Sequence, residues 1–105
     1  MKTTQLLFTY ESAHEEELQM TVLERKLKGR PDTLFGYKKI EEKQKGKHIT
    51  IKKTNNTKDA VRGMLHKVSN LELYKMDRDE SFECSRISVS LKSGAKAWVY
   101  LPSYN

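Results

Sequence analysis

Residues 61–86, VRGMLHKVSNLELYKMDRDESFECSR, carry four structural signals in a fixed order, and they leave the chain few ways to fold. Val61, Met64, Leu65 and Val68, set around Gly63, read as a strand over residues 60–68. Ser69 and Glu72 have the spacing of a capping box, in which hydroxyl and carboxylate each satisfy a backbone donor at a helix start. The helix runs through Leu71, Leu73, Tyr74 and Met76 and stops near Asp77-Arg78-Asp79-Glu80-Ser81. A further strand, ECSRISVSL, follows over residues 83–91. Glu80 therefore stands just past a helix end and just before a strand. A helix end pointing at it disfavours a second negative charge, and partial burial acts in the same direction. A carboxyl raised in this way both takes and gives a proton near neutrality.

The remaining elements are read around that unit. Residues 5–10, QLLFTY, suit a buried strand, and residues 11–13 turn after it. Ser12 and Glu15 form a second capping box, with Glu15, Glu16 and Glu17 in the favoured first turn. That helix extends to about Leu27, with Met20, Leu23 and Leu27 as its apolar stripe. Gly29 ends it and Pro31 forbids an immediate restart. Residues 33–42, TLFGYKKIEE, read as one strand, residues 44–47 as a turn, and residues 48–53, HITIKK, as the returning arm of a hairpin. Ile87, Val89 and Leu91 alternate with Ser88 and Ser90, Lys92-Ser93-Gly94 turns, and residues 95–101 form the last strand. The order β-α-β-β-β-α-β-β implies an α+β fold: a curved or barrel-like mixed β-sheet with two helices packed against it. The first strand and the strand over residues 61–68 are expected side by side in its middle.

The 105 residues fit a single domain over residues 1–105. With 36% hydrophobic and 32% charged residues, the core is small and one shallow pocket is expected. No window approaches the ~20 apolar residues of a membrane span, and the opening MKTTQLLFTYES holds only three consecutive apolar residues. No membrane partner and a cytoplasmic address are the expectation. Cys84 is the sole cysteine, so no internal disulfide forms, and it reads better as a small buried strand residue than as a nucleophile. His14, His48 and His66 lack ligand spacing, and Asp77, Asp79 and Glu80 lack the glycine and terminal glutamate of a calcium loop, so no metal is expected.

Charge is the other uneven feature. The formal net charge is +6, and residues 38–58 hold eight Lys against two Glu. The twelve basic and twelve acidic residues elsewhere cancel, so the whole excess lies on one hairpin and its loop. Such a patch binds nucleic acid or another anionic partner, or else it is a solvated edge on which lysine blocks strand-to-strand aggregation. Nothing in the sequence sets the oligomeric state.

Several of these pieces occur together in a known arrangement. Leu7-Phe8-Thr9-Tyr10, Val61-Arg62-Gly63-Met64-Leu65, Leu73 with Asp77 and Glu80, Arg86, and Ala97-Trp98-Val99-Tyr100-Leu101 together resemble the γ-glutamylcyclotransferase-like family. The resemblance spans nearly the whole chain and is most specific from Val61 through Glu80 to Arg86. It implies a small mixed β-barrel with helices around it, and a reaction in which a γ-glutamyl group cyclises to 5-oxoproline and releases an amine. It also implies that no cofactor is needed. The family's general acid/base falls on Glu80. Its substrate loop falls on Tyr10, Glu11, Ser12 and Ala13, where backbone N–H groups hold the glutamyl end. Arg86 either clamps a carboxylate of the substrate or pairs with Asp77 or Glu83. Tyr10 alternatively serves as a strand-end core aromatic. Three positions depart from the family pattern: Glu11 replaces the loop glycine, Ser81 the glycine after the glutamate, and Cys84 a tyrosine. Those departures support a second reading, an inactive member that binds or inhibits a small anionic ligand, nucleic acid or protein through its pocket or its basic hairpin.

Overall fold

Leu7, Phe8 and Thr9 are all buried, which no strand with a solvent-facing side allows. Their strand, β1 (Thr4–Thr9), lies at the centre of the sheet. It is flanked antiparallel by β5 (Ala60–Ser69) and parallel by β7 (Lys96–Pro102). The outer strands are β2 (Gly29–Phe35), beside β5, and β6 (Cys84–Ser90), beside β7. The order is β2-β5-β1-β7-β6. Two further strands, β3 (Tyr37–Glu42) and β4 (His48–Lys53), form a separate antiparallel ribbon. One helix, α1 (Asn70–Asp77), joins β5 to β6. These elements belong to a computed structural model that describes residues 4–10, 29–42, 48–78 and 84–102. The helix expected over residues 12–27 lies outside the described residues. Among them, no helix is long and apolar enough to cross a membrane.

Side-chain alternation divides the interior into two layers. Phe8, Leu34, Val61, Leu65 and Val99 pack on one face of the sheet, where Tyr37 and Ile51 of the ribbon close over them. Leu7, Val68 and Tyr100 pack on the other, under Leu73 and Met76 of α1. Gly63 permits the first layer to close: a Cβ there would run into the Thr9 carbonyl oxygen and come within 2.7 Å of the Phe8 ring.

Two expectations need correction, and one is met only in part because residues 12–27 lie outside the described residues. Among the described residues the sheet is not closed into a barrel, because β2 and β6 are its outer strands and do not pair with each other. It is only tied across one corner. Lys92 N–H donates to the Thr33 carbonyl at 2.8 Å, and Ser93 Oγ donates to Asp32 Oδ2 at 2.5 Å. Second, two helices against the sheet were expected, and α1 is the one that the described residues contain. Third, residues 33–42 do not form one strand. Gly36 adopts φ 83°, a region open to glycine, and turns the chain out of the sheet into the ribbon. Its N–H bonds the Asp59 carbonyl and its carbonyl accepts from Thr54, each at 2.9 Å, so the ribbon is anchored at its base. The first piece also starts earlier than expected, at Gly29, and accommodates Pro31 because an edge strand has one side without ladder partners.

Candidate active site

α1 starts where its sequence requires. Glu72 N–H donates to Ser69 Oγ at 3.0 Å and Ser69 N–H donates to Glu72 Oε1 at 2.9 Å, the reciprocal pair of a capping box. Leu73 and Met76 are buried, which sets the helix rotation and places Asp77, one residue on, at the border of the packed face. Arg86 on β6 is directly opposite Tyr100 on β7. These three side chains meet. Arg86 Nε donates to both Asp77 oxygens, at 2.9 and 3.0 Å. The Tyr100 hydroxyl donates to Asp77 Oδ1 at 2.7 Å. The guanidinium also lies over the Trp98 ring, 4.2 Å from its centre, and the Trp98 indole N–H donates to Gln5 Oε1 at 3.2 Å. The hydrogen bond to Asp77 raises the Arg86 pKa above its ordinary value and outweighs partial burial, which lowers it; the Asp77 charge adds to the rise.

The end of β1 is fixed to the same strand residue from the opposite layer. Tyr10 is half-buried, and its hydroxyl donates to the backbone carbonyl of Tyr100 at 3.0 Å. One residue earlier, Thr9 Oγ1 and His66 Nε2 share a buried hydrogen bond of 2.8 Å. Tyr100 is therefore a hub. Its carbonyl holds the residue that opens the stretch 10–13, and its hydroxyl holds the residue three before Glu80. A cleft of about 330 Å³ opens beside it, lined by Gln5, Asn70, Tyr74, Asp77, Arg86 and Trp98.

Of the residues singled out in the sequence, Tyr10 and Arg86 both adjoin Tyr100 but from opposite layers: Tyr10 packs against the Phe8 layer and bonds the Tyr100 carbonyl, whereas Arg86 meets Asp77 beside the Tyr100 hydroxyl. Glu80, Glu11, Ser12 and Ala13 lie outside the described residues, as does Ser81. Arg86 is engaged by Asp77, one of the two partners that its position suggested. Tyr100, Trp98 and Gln5 were given no role in advance. A buried tyrosine hydroxyl does require a partner, but nothing in the sequence marks Asp77, 23 residues away, as the one.

No protein-family model and no curated protein matches the chain. Solved structures do. A solution structure of an Arabidopsis thaliana protein superposes with a TM-score of 0.76 at 22% identity, over 99% of this chain and 65% of that one. The crystal structure of an uncharacterized Homo sapiens protein gives 0.72 at 19% identity, over 96% and 68%. A structure named as a γ-glutamyl cyclotransferase gives 0.67 at 18% identity, over 94% and 66%. The chain has the γ-glutamyl cyclotransferase-like fold. It spans about two thirds of the length of these chains. The architecture implied by Val61, Gly63, Asp77, Arg86 and Tyr100 is therefore present, with an open sheet in place of a barrel.

Proposed function

We propose that the protein cyclises a γ-glutamyl amine or dipeptide to 5-oxoproline, with Glu80 as the proton shuttle. The reading is supported by the likeness in fold to the γ-glutamyl cyclotransferase and, above all, by the Tyr100 hub, which ties Tyr10 to Asp77. The ion pair between Asp77 and Arg86 holds both ends of the nine-residue step that carries Glu80. A short segment tethered at both ends has fewer conformations to lose when a substrate orders it. In this reading Arg86 is a positioning residue and acts through Asp77.

The chemistry asks little more of the protein than position and one carboxylate. The α-ammonium of the substrate gives a proton to Glu80, and the freed amine attacks its own γ-carbonyl. The new C–N bond closes a five-membered ring. The original γ-amide C–N bond breaks as Glu80 returns the proton to the departing amine, and the second proton that the ring nitrogen must lose to become the lactam N–H passes by way of Glu80 to that amine, which leaves as an ammonium. One group serves both nitrogens, so a pKa near the working pH suits it. The flexible glutamyl chain must be held bent, which is the task of backbone N–H groups at Glu11, Ser12 and Ala13 with Tyr10 as the wall.

The test is release of 5-oxoproline from a panel of γ-glutamyl amines and dipeptides. Wild-type protein should yield product and Glu80→Gln should lose it at least a hundredfold, the usual scale of general acid/base catalysis. Absence of product from every substrate, or equal product from the variant, removes the enzymatic reading.

A further inference from the structure

The β3–β4 ribbon is built in a way that costs the free protein stability. Its register sets Lys38 directly opposite Lys52, and both are exposed. Like charges facing each other across an antiparallel pair destabilise it. Tyr37, Lys39, Ile51 and Lys53 share the other face. Tyr37 and Ile51 occupy one diagonal of that face and are buried in the core; Lys39 and Lys53 occupy the second diagonal and remain exposed. Lys38 and Lys52 thus leave the outer face, while Lys39 and Lys53 are exposed beside Tyr37 and Ile51 on the face that closes over the core. Lys58 adds a further exposed cation at its base. Among the described residues, none of these five lysines has a carboxylate partner.

The ribbon is also a stiff support. Six register pairs join its strands, and the Gly36 bonds fix its root. The loop leading to β5 is held by its own bonds, from Asn56 N–H to Thr54 Oγ1 at 3.2 Å and from Lys58 N–H to Asn56 Oδ1 at 3.0 Å. A ligand there need not order the backbone that presents the cations.

We infer that the β3–β4 ribbon is a seat for duplex DNA, which it holds by its phosphates and without reading sequence. A two-stranded ribbon fits the B-form major groove, about 12 Å wide, whose two phosphate walls lie on either side of it. The cations are lysines, point charges without the bidentate fork that reads guanine. The ribbon's tyrosine is buried in the core, so no exposed aromatic of the described ribbon offers unpaired bases a stacking platform. Outside residues 38–58, which hold the ribbon, its connection and the following loop, the chain carries no net charge, so the field that steers an approaching polyanion centres on that segment. The site is separate from the Tyr100 corner, and the inference stands whether or not the protein is an enzyme.

Fluorescence anisotropy of the full chain with a labelled 20-base-pair duplex tests it. With Lys38, Lys39, Lys52 and Lys53 each on a phosphate, affinity should fall about 150-fold between 50 and 200 mM salt. The pair Lys38→Glu with Lys52→Glu should weaken binding at 50 mM salt at least tenfold and flatten the salt dependence by about two contacts. Lys67→Glu with Lys96→Glu removes the same charge from exposed positions elsewhere and should stay within threefold of wild type. Lys38→Gln with Lys52→Gln, which adds no new charge, should fall between them, and circular dichroism should show all variants folded. The inference is overturned if no duplex binds at 50 mM salt, if both charge-reversed pairs weaken binding equally, or if vesicles rich in phosphatidylserine bind better than the duplex.

Discussion

At the corner where α1, β6 and β7 meet, the charges are matched: one Asp77 carboxylate accepts from the Arg86 guanidinium and the Tyr100 hydroxyl together. On the β3–β4 ribbon they are opposed, Lys38 against Lys52, and among the described residues neither has a carboxylate partner. Both regions are partly exposed and both are rich in charge. The corner's charges connect segments that are far apart in sequence, so the fold depends on them. Among the described residues the ribbon's lysines bridge to no carboxylate, and the Lys38–Lys52 pair costs the fold stability. Charge that supports folding and charge held ready for another molecule are distinguished here by what faces each group, not by residue type or exposure.

That contrast makes predictions of opposite sign. The largest effect belongs to the corner. Asp77→Ala leaves Arg86 Nε and the Tyr100 hydroxyl without their acceptor, and unfolding free energy should drop by about 1.5–3 kcal/mol, solvent screening of a pair that is one-third exposed keeping it from being larger. A shift in the urea midpoint worth under 0.5 kcal/mol would erase the distinction between the two regions. The same variant should lower cyclisation more than Tyr10→Phe does, because it frees the segment that carries Glu80.

A second matched charge, at the far end of the sheet, shows whether matching requires an ion pair. Burial of Asp32 raises its pKa, but hydrogen bonds from the Ser93 hydroxyl and from the Thr33 and Ser93 N–H groups outweigh it, helped by Arg30, so the net shift is downward. A folded value below the unfolded one means stability that is present above about pH 3.9 and lost as the pH falls through the folded value. Ser93→Ala should cost about 1–2 kcal/mol at pH 7 and should make the loss of stability in acid shallower. An unchanged acid limb in a pH series of urea titrations would show that the tie across β2 and the Lys92–Ser93 turn is not formed in solution.

Tyr100→Phe removes one hydroxyl and leaves the Asp77–Arg86 pair, so a cost of about 1 kcal/mol is expected. The tie to Tyr10 goes through the backbone carbonyl and should survive, which a retained KM would show. The smallest effect has the reverse sign. Lys52→Glu turns a like-charged cross-strand pair into an opposite one and should stabilise the protein by about 0.2–1 kcal/mol while weakening duplex binding. A double-mutant cycle on Lys38 and Lys52 should report repulsion where the cycle on Asp77 and Arg86 reports attraction. Attraction between the two lysines would end the comparison.

Features that operate over a few residues were legible in advance. The capping box at Ser69 and Glu72, the pairing of residues 48–53 back on the strand before them, and the turn at Lys92-Ser93-Gly94 involve neighbours whose spacing is visible along the chain. The break at Gly36 was not, because apolar residues on either side continue a strand-like pattern, and only the sheet's geometry requires the chain to leave there. Arg86 was legible as a cation in need of Asp77, nine residues away. The hub was not, because Tyr100 acts at once through a side chain on one layer and a carbonyl in the ladder.

The chain's own order of residues determined most of the segments that become strands and helix, which face of each is apolar, and that all surplus charge lies within residues 38–58. Those properties depend on periodicity, caps and counting, all of them local. Only the tertiary structure decided that the sheet stays open, that Asp32 meets Ser93, and that Tyr10 and Asp77 share Tyr100. The last two join residues more than twenty positions apart, and which distant partners meet, like the absence of a β2–β6 pairing, depends on how the sheet's two layers curve and pack.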